Sequence, residues 1–448
     1  MRCLIAGAAL CCALFAGSAG ADPRPHEYQL DNGLKLLVQE DHRSHVAVVQ
    51  VWYRVGSSYE HDGITGVSHA LEHMMFKGTK TRGPGQFAAT VAAKGGRQNA
   101  FTSSDYTAYY EEWSADNVEL SFILEADRMR NLLIDEAEFK KEINVVLEER
   151  RLRTDDNPQA LAQEVVQAMA YQTSPYRYPV IGWEADIKHM DVADLRAWYQ
   201  RWYAPNNAIV VVVGDVAPDA VLALAKTHFG PLAPSELVAP KDRPEVDQRG
   251  IRRTVLASDK VQVPSLMMAY KAPVLLQAAH KEGVEEAEVY ALDVLAEMLA
   301  GDDSARLKRK LVRGRSVASE ISAGVATGAR LTTLFSINAV PAQGVSLDEL
   351  ERAIVGEIAA LAEQPPTPTE LERIKTQVVA DTIFERDSMS HQASTIGSLE
   401  AVGLGWHYRD EYVGKIKAIT REQVVAAARK FLVPRTLTVA HLMPEGVR

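Results

Sequence analysis

Cysteine is almost missing from this chain: its three copies, Cys3, Cys11 and Cys12, all fall at the extreme N-terminus. That segment carries one cation, Arg2, an apolar run from Leu4 to Phe15, and small residues ending in Ala19-Gly20-Ala21 before Asp22. This is the layout of a secretory signal peptide over residues 1–21. Cleavage after Ala21 leaves a chain with no thiol, which excludes disulfides and cysteine nucleophiles. Export, with the bacterial periplasm as the expected destination, suits a Cys-free chain large enough to fold without covalent staples.

Long apolar runs are also missing. Beyond the leader no stretch approaches the roughly 20 uninterrupted apolar residues of a membrane-spanning helix, so stable membrane insertion is not expected. Nor is there an excess of positive charge. The formal charge is −10, and loss of Arg2 with the leader makes it one unit more negative. An acidic surface disfavours nucleic acid and anionic membranes as partners. What remains is an ordinary globular balance, 47% hydrophobic and 24% charged, over 448 residues. That length exceeds what one core organises and predicts two domains.

Residues 27–39 alternate as a hairpin around the Asp31-Asn32-Gly33 turn, and Val46–Val55 reads as a further strand. Helical spacing covers about 65–76 and 85–93, each ended by glycine, before strand character returns over 98–113. Three or four helices are expected between Ala115 and Arg201, the longest from about Asp135 to Arg153. The uninterrupted run Ala208–Val213 suits a strand buried on both faces. Four prolines between Pro231 and Pro244 mark a linker. Beyond it the order of elements recurs, as in a diverged copy of the first half. The boundaries expected are 22–230 for a first domain, 231–250 for the linker and 251–448 for a second.

The chemistry concentrates at Ser68-His69-Ala70-Leu71-Glu72-His73-Met74. On a helix, His69, Glu72 and His73 project from one narrow face while Leu71, Met74 and Met75 turn to the core. Two imidazoles four residues apart can approach one ion at about 2.0–2.1 Å. The bland alternative is a pair of solvated histidines, and chance supplies such a pentad on the order of one time in a hundred. A third ligand is needed. The 135–153 helix offers Glu142, Glu148 and Glu149; residues seven apart share a face, which groups Glu142 with Glu149 and leaves both open. Two imidazoles, one carboxylate and an open position suit Zn²⁺, one per chain, with Glu72 free to act as a base. A metal scavenger would have no use for such a base.

His-x-x-Glu-His inverts the commoner zinc-protease order and resembles the inverzincin signature of the pitrilysin or insulinase family. In that family the third ligand lies about 76 residues past the second histidine, which implies Glu149, with Glu142 behind the ligands. Further stretches are similar to the same family: Gly95-Gly96 before Asn99-Ala100-Phe101-Thr102; Glu125-Ala126-Asp127-Arg128-Met129; Pro205-Asn206-Asn207 leading to Gly214-Asp215. The resemblance implies an α+β fold of two homologous α/β-roll domains, a half-clamshell with mixed or antiparallel sheets and helices packed on one face. It also implies peptide hydrolysis, with Asn99, Ala100 and Phe101 on an edge strand that pairs with substrate backbone. The second half is similar more loosely, most clearly at Ser304-Ala305-Arg306-Leu307, and Val312 and Ser319 stand where active relatives carry an arginine and a tyrosine that clasp substrate. A chain of this size resembles the mitochondrial processing peptidase β subunit and bacterial two-chain relatives. The implied partner is a related subunit lacking the metal motif, with a homodimer as the other arrangement. The competing reading is a non-catalytic binding or assembly subunit of the same fold.

Overall fold

The computed structural model describes residues 24–446 apart from 239, 240 and 242, so the proposed leader lies outside the described residues. The first half runs β1 (His26–Gln29), β2 (Lys35–Glu40), β3 (Val46–Tyr53), α1 (Val67–Met74), α2 (Gln86–Ala93), β4 (Arg97–Thr102) and β5 (Thr107–Ser114). It continues with α3 (Val118–Asn131), α4 (Glu136–Arg150), α5 (Pro158–Ala170), α6 (Glu184–His189), α7 (Val192–Trp202), β6 (Ala208–Gly214) and α8 (Pro218–His228). The second half runs β7 (Arg252–Ser258), β8 (Ser265–Ala272), α9 (Leu275–Ala279), α10 (Glu286–Ala300), β9 (Ala318–Val325) and β10 (Thr333–Pro341). It closes with α11 (Leu347–Ala360), α12 (Pro368–Glu385), α13 (Met389–Ala401), α14 (His407–Ala418), α15 (Arg421–Phe431) and β11 (Leu437–Pro444). Among the described residues no helix is long and apolar enough to cross a membrane.

The strand character over 98–113 resolves into a hairpin, β4 and β5: the Ser103 hydroxyl accepts the amide N–H groups of Asp105 and Tyr106 and turns the chain without glycine or proline. One sequence expectation needs correction. Five helices, not three or four, occupy 115–201, the extra one being the short α6.

The duplication is visible in the sheets. The first has the order β1-β2-β6-β3-β5-β4 and the second β7-β11-β8-β10-β9. In each, one parallel pair (β2 with β6, β7 with β11) is followed by antiparallel neighbours. Strand alternation then gives each sheet two apolar faces. Val49, Val51 and Tyr53 of β3 turn towards α1, α3, α7 and α8, while Val48 and Trp52 turn the other way. That opposite face is covered by Ala393 and Ile396 of α13, a helix of the second half. Reciprocally, Met267 and Ala269 of β8 with Ala440 and Leu442 of β11 pack on Ala162 and Val166 of α5, a helix of the first half. Each sheet keeps its own helices on one face and takes one from the other half on the second.

The copies differ at one edge. Register equates Val38 with Val255 and Leu36 with Arg253, since the first pair faces Val212 and Val210 and the second His441 and Val439. Leu36 and Val38 are buried beside Val221, Ala225 and Phe229 at α8. Among the described residues nothing takes the place of α8 in the second half, and Val255 is 60% exposed. The chemistry adjusts: Arg253 forms a two-pronged pair with Glu351 at 2.5 and 2.7 Å, and His441 meets the same carboxylate at 3.0 Å.

Gly397 of α13 sits directly on the Trp52 indole, and a Cβ there would overlap the ring. Glycine to alanine in a helix normally stabilises by about 1 kcal/mol. At this position Gly397→Ala is expected to destabilise by about 1–3 kcal/mol through overpacking, read as a lowered melting temperature.

Candidate metal centre

Helix α1 begins after Gly66, whose φ of 88° is left-handed and which has no side chain to cap the helix. Two carboxylates from elsewhere satisfy the N–H groups at and before this end. Glu60 accepts from the backbone of Gly66 at 2.7 Å and Ser68 at 2.8 Å, and Asp186 accepts from the backbone of Gly63 and Thr65 at 3.2 and 3.3 Å and from the Thr65 hydroxyl at 2.5 Å. Glu60 is fully buried, and burial raises its pKa to about 7 against the lowering effect of those N–H groups. Gly66 and Gly182 press together so closely that a Cβ on either would strike the other's backbone. The Gly182 carbonyl also accepts a 2.8 Å bond from Arg150 at the end of α4, and Arg150 is held in turn by Glu164 at 2.8 and 2.9 Å. The start of α1 and the end of α4 are thereby tied to one another.

Helix α4 is capped by Asp135, which accepts from Ala137 and Glu138, and it continues as a π turn, Arg151–Asp155. Its phase sorts the glutamates. Glu148 points to solvent and pairs with Arg151 at 2.6 Å, while Glu142 and Glu149 both face α1. Glu149 Oε2 lies 3.2 Å from His73 Nε2 and 3.7 Å from His69 Nε2. Glu142 does something else: its Oε1 stands 2.9 Å from His73 Nδ1 and its Oε2 2.5 Å from Lys77 Nζ. A carboxylate at Nδ1 fixes that nitrogen as the N–H and leaves the Nε2 lone pair aimed at Glu149.

The donor set fits a metal ion. Donors about 2.1 Å from a tetrahedral ion are separated by roughly 3.4 Å, between the two spacings seen here. His69, His73 and Glu149 each offer an atom within 4.8 Å of the others'. Glu149 Oε2 is buried with no hydrogen-bond partner among the described residues, whereas Oε1 receives Arg153 at 2.7 Å. A buried carboxylate oxygen left bare is costly unless a cation meets it. Burial, with His73 and Arg153 adding to it, pushes the His69 pKa down to about 3, so its ring is neutral and able to ligate at pH 7. A second cluster, Asp348, Glu351 and His441, has similar spacing but a different character. There Arg253 occupies both Glu351 oxygens and, against burial, holds the carboxyl down to about 2 with help from His441.

Glu72 does not join the donors. Its Oε2 accepts the Thr102 hydroxyl at 2.5 Å, and burial raises its pKa while Thr102 and His73 oppose the rise. Thr102 ends β4, the strand carrying Asn99, Ala100 and Phe101. Among the described residues β4 pairs with β5 alone, and it packs beside α1, so its outer edge runs past the site. Asn99 is exposed; Ala100 and Phe101 are half-buried, the latter edge-on to Trp52 at 5.3 Å. Val312 is half-buried on the second core, and the Ser319 hydroxyl bonds the Val340 and Pro341 carbonyls. Spacing along the chain had no means of finding Glu60, Asp186 or Thr102, which reach the site only through the fold. Lys77 lies beyond the end of α1, so helical spacing did not place it either.

Two family descriptions match the chain: "Insulinase (Peptidase family M16)" over residues 35–183 and "Peptidase M16 inactive domain" over 189–378. The zinc protease PqqE of Helicobacter pylori is 34% identical over 375 residues, covering 83% of this chain and 82% of that protein. A probable mitochondrial-processing peptidase subunit beta of Arabidopsis thaliana is 24% identical, covering 94% of this chain and 79% of its own. The crystal structure of a protease from Helicobacter pylori has a TM-score of 0.87 and 30% identity, covering 94% of this chain and 99% of that one. His69, Glu72, His73, Glu142 and Glu149 all lie within the first matched segment.

Removing the carboxylate behind a ligating histidine weakens metal binding by about 10–100-fold. Glu142→Ala is expected to lower zinc affinity by that factor in a chelator competition, and Glu148→Ala to leave it unchanged.

Proposed function

Because the chain belongs to the insulinase family, peptidase family M16, whose relatives include named zinc proteases, we propose that it is itself a catalytic zinc endopeptidase. The observation that carries this reading is the convergence of His69 Nε2, His73 Nε2 and the unpartnered Glu149 Oε2, with Glu72 held beside them. These three residues would hold one zinc ion, which would supply Lewis acidity and make water a stronger acid at the site.

The rest of the chemistry belongs to the chain. Glu72, oriented by the Thr102 hydroxyl and partly desolvated, takes the proton of the attacking water and passes it to the leaving amine. Glu142, kept in place by Lys77, holds the ligating tautomer of His73. Arg153 occupies Glu149 Oε1 and so leaves Oε2 as the ligating oxygen. The free edge of β4 at Asn99-Ala100-Phe101 receives an extended peptide by strand addition, which favours unfolded segments over folded domains.

In this reading residues 22–230 form the metal-binding domain, 231–250 the linker and 251–448 a second domain without ligands of its own; 1–21 direct export to the periplasm. Within the linker, Glu245 accepts from the backbone of residues 172–174 and pairs with Lys271, so it is pinned to both halves. With Val312 and Ser319 in place of a substrate clasp, a related subunit completes the chamber as partner, as a heterodimer in preference to a homodimer.

Glu72→Gln keeps the shape of the side chain and removes the base. It is expected to retain one zinc per chain and to lose at least about 10³-fold of peptide turnover, at the upper part of the range for positioned acid–base groups. Turnover equal to wild type would exclude Glu72 as the base, and a chain that binds zinc without hydrolysing any peptide, alone or with a related subunit, would favour the non-catalytic reading.

A further inference from the structure

The base and the metal helix are both held by loops, and one side chain of the second half fastens those loops together. Arg330 lies in the turn between β9 and β10. Its Nη2 donates to the Ser58 hydroxyl at 2.8 Å and its Nε to Asp105 Oδ1 at 3.3 Å. Its backbone N–H donates to Asp105 Oδ2 at 3.0 Å and to the Tyr176 hydroxyl at 3.0 Å. The guanidinium lies over the Tyr59 ring, 4.5 Å from its centre. Ser58 and Asp105 are buried, and the Ser58 hydroxyl itself donates to Asp105 Oδ1 at 3.0 Å.

Two short routes lead from this cluster to the chemistry. Asp105 sits in the β4–β5 turn, whose Ser103 and Ser104 carbonyls accept the backbone of Ser57 and Ser58 at 3.2 and 2.8 Å. The residue before that turn is Thr102, which bonds Glu72. Two residues past Ser58 is Glu60, which holds the first N–H groups of α1. We propose that Arg330 is a positioning residue for the metal site: a cation lent by the second half that locks the β4–β5 turn against the 57–59 loop, and through Thr102 sets Glu72 against the two histidines. The inference rests on the peptidase reading for its kinetic consequence. It assigns the ligand-free half a share in catalysis that involves no contact with substrate or metal.

A buried carboxylate that loses its cation forces the surrounding backbone to rearrange, and small misplacements of a base cost turnover steeply. In the zinc-loaded full chain, Arg330→Ala is expected to lower kcat at least about tenfold with KM within about twofold and zinc content unchanged. Millimolar guanidinium should restore part of the loss, and Arg330→Lys should fall between. Lys35→Met is the control: Lys35 on β2 bridges the halves through Glu400 on α13 at 2.7 Å, remote from the turn, and its loss should lower thermal stability while leaving kcat intact. Hydrogen exchange supplies a readout independent of turnover. Amides of 99–106 should exchange faster in Arg330→Ala, and in Arg330→Lys to a lesser degree, but not in Lys35→Met. Wild-type kcat in Arg330→Ala, or an equal kcat loss in Lys35→Met, overturns the proposal. If the wild type hydrolyses nothing, the peptidase reading fails, and exchange alone decides: unchanged protection of 99–106 overturns the positioning role. Should Arg330→Ala fail to fold, Arg330→Lys decides by the same measures.

Discussion

Three donor atoms from two helices meet in a half-buried space where each alone would be unfavourable. The Oε2 of Glu149 has no hydrogen-bond donor among the described residues, and the imidazole of His69 is held neutral by burial. Like the two Nε2 lone pairs, that oxygen gains from a cation what burial has taken from it. Most features around them serve to keep the helices in register. The paired glycines 66 and 182 allow the close approach, the Glu60 carboxylate stands in for a cap that glycine cannot provide, and Arg150 links the end of one helix to the loop that supports the start of the other.

The second half contributes by construction and not only by proximity. Each sheet exposes a second apolar face that its own helices cannot reach, and each is covered by one helix from the other copy, α13 on the first and α5 on the second. Separating the halves would uncover both faces together, so the half that carries the candidate ligands is not a free-standing unit with an ornament attached. The copies have also diverged where their environments differ. Leu36 and Val38 are buried beside α8, whereas their counterparts Arg253 and Val255 meet solvent, and a buried leucine has become an arginine paired with a glutamate.

Family membership sharpens the contrast between the halves. The match to the inactive-domain description covers 189–378, and the candidate ligands all fall in the preceding match over 35–183. An acidic and histidine-bearing cluster survives in the second half at Asp348, Glu351 and His441, but an arginine neutralises it from within. The difference between a site that suits a metal and an ion-pair network of similar spacing is the presence of a protein cation on the donor oxygens.

Helical spacing alone put His69, Glu72 and His73 on one face, because 3.6 residues per turn is a local property that tertiary packing only had to accept. The repeat of element order and the double-sided burial of β6 were likewise legible in apolar periodicity. Spacing left Glu142 and Glu149 equivalent, since residues seven apart differ little in direction; the packing of α4 against α1 separated them, delivering Glu142 to Nδ1 of His73 and Glu149 to Nε2. The β4–β5 turn, the exchange of α5 and α13, and the holds on Glu72 and α1 by Thr102, Glu60 and Arg330 were decided by the fold. Contacts between residues tens to hundreds of positions apart leave no period in a sequence, and so only the assembled structure contains them.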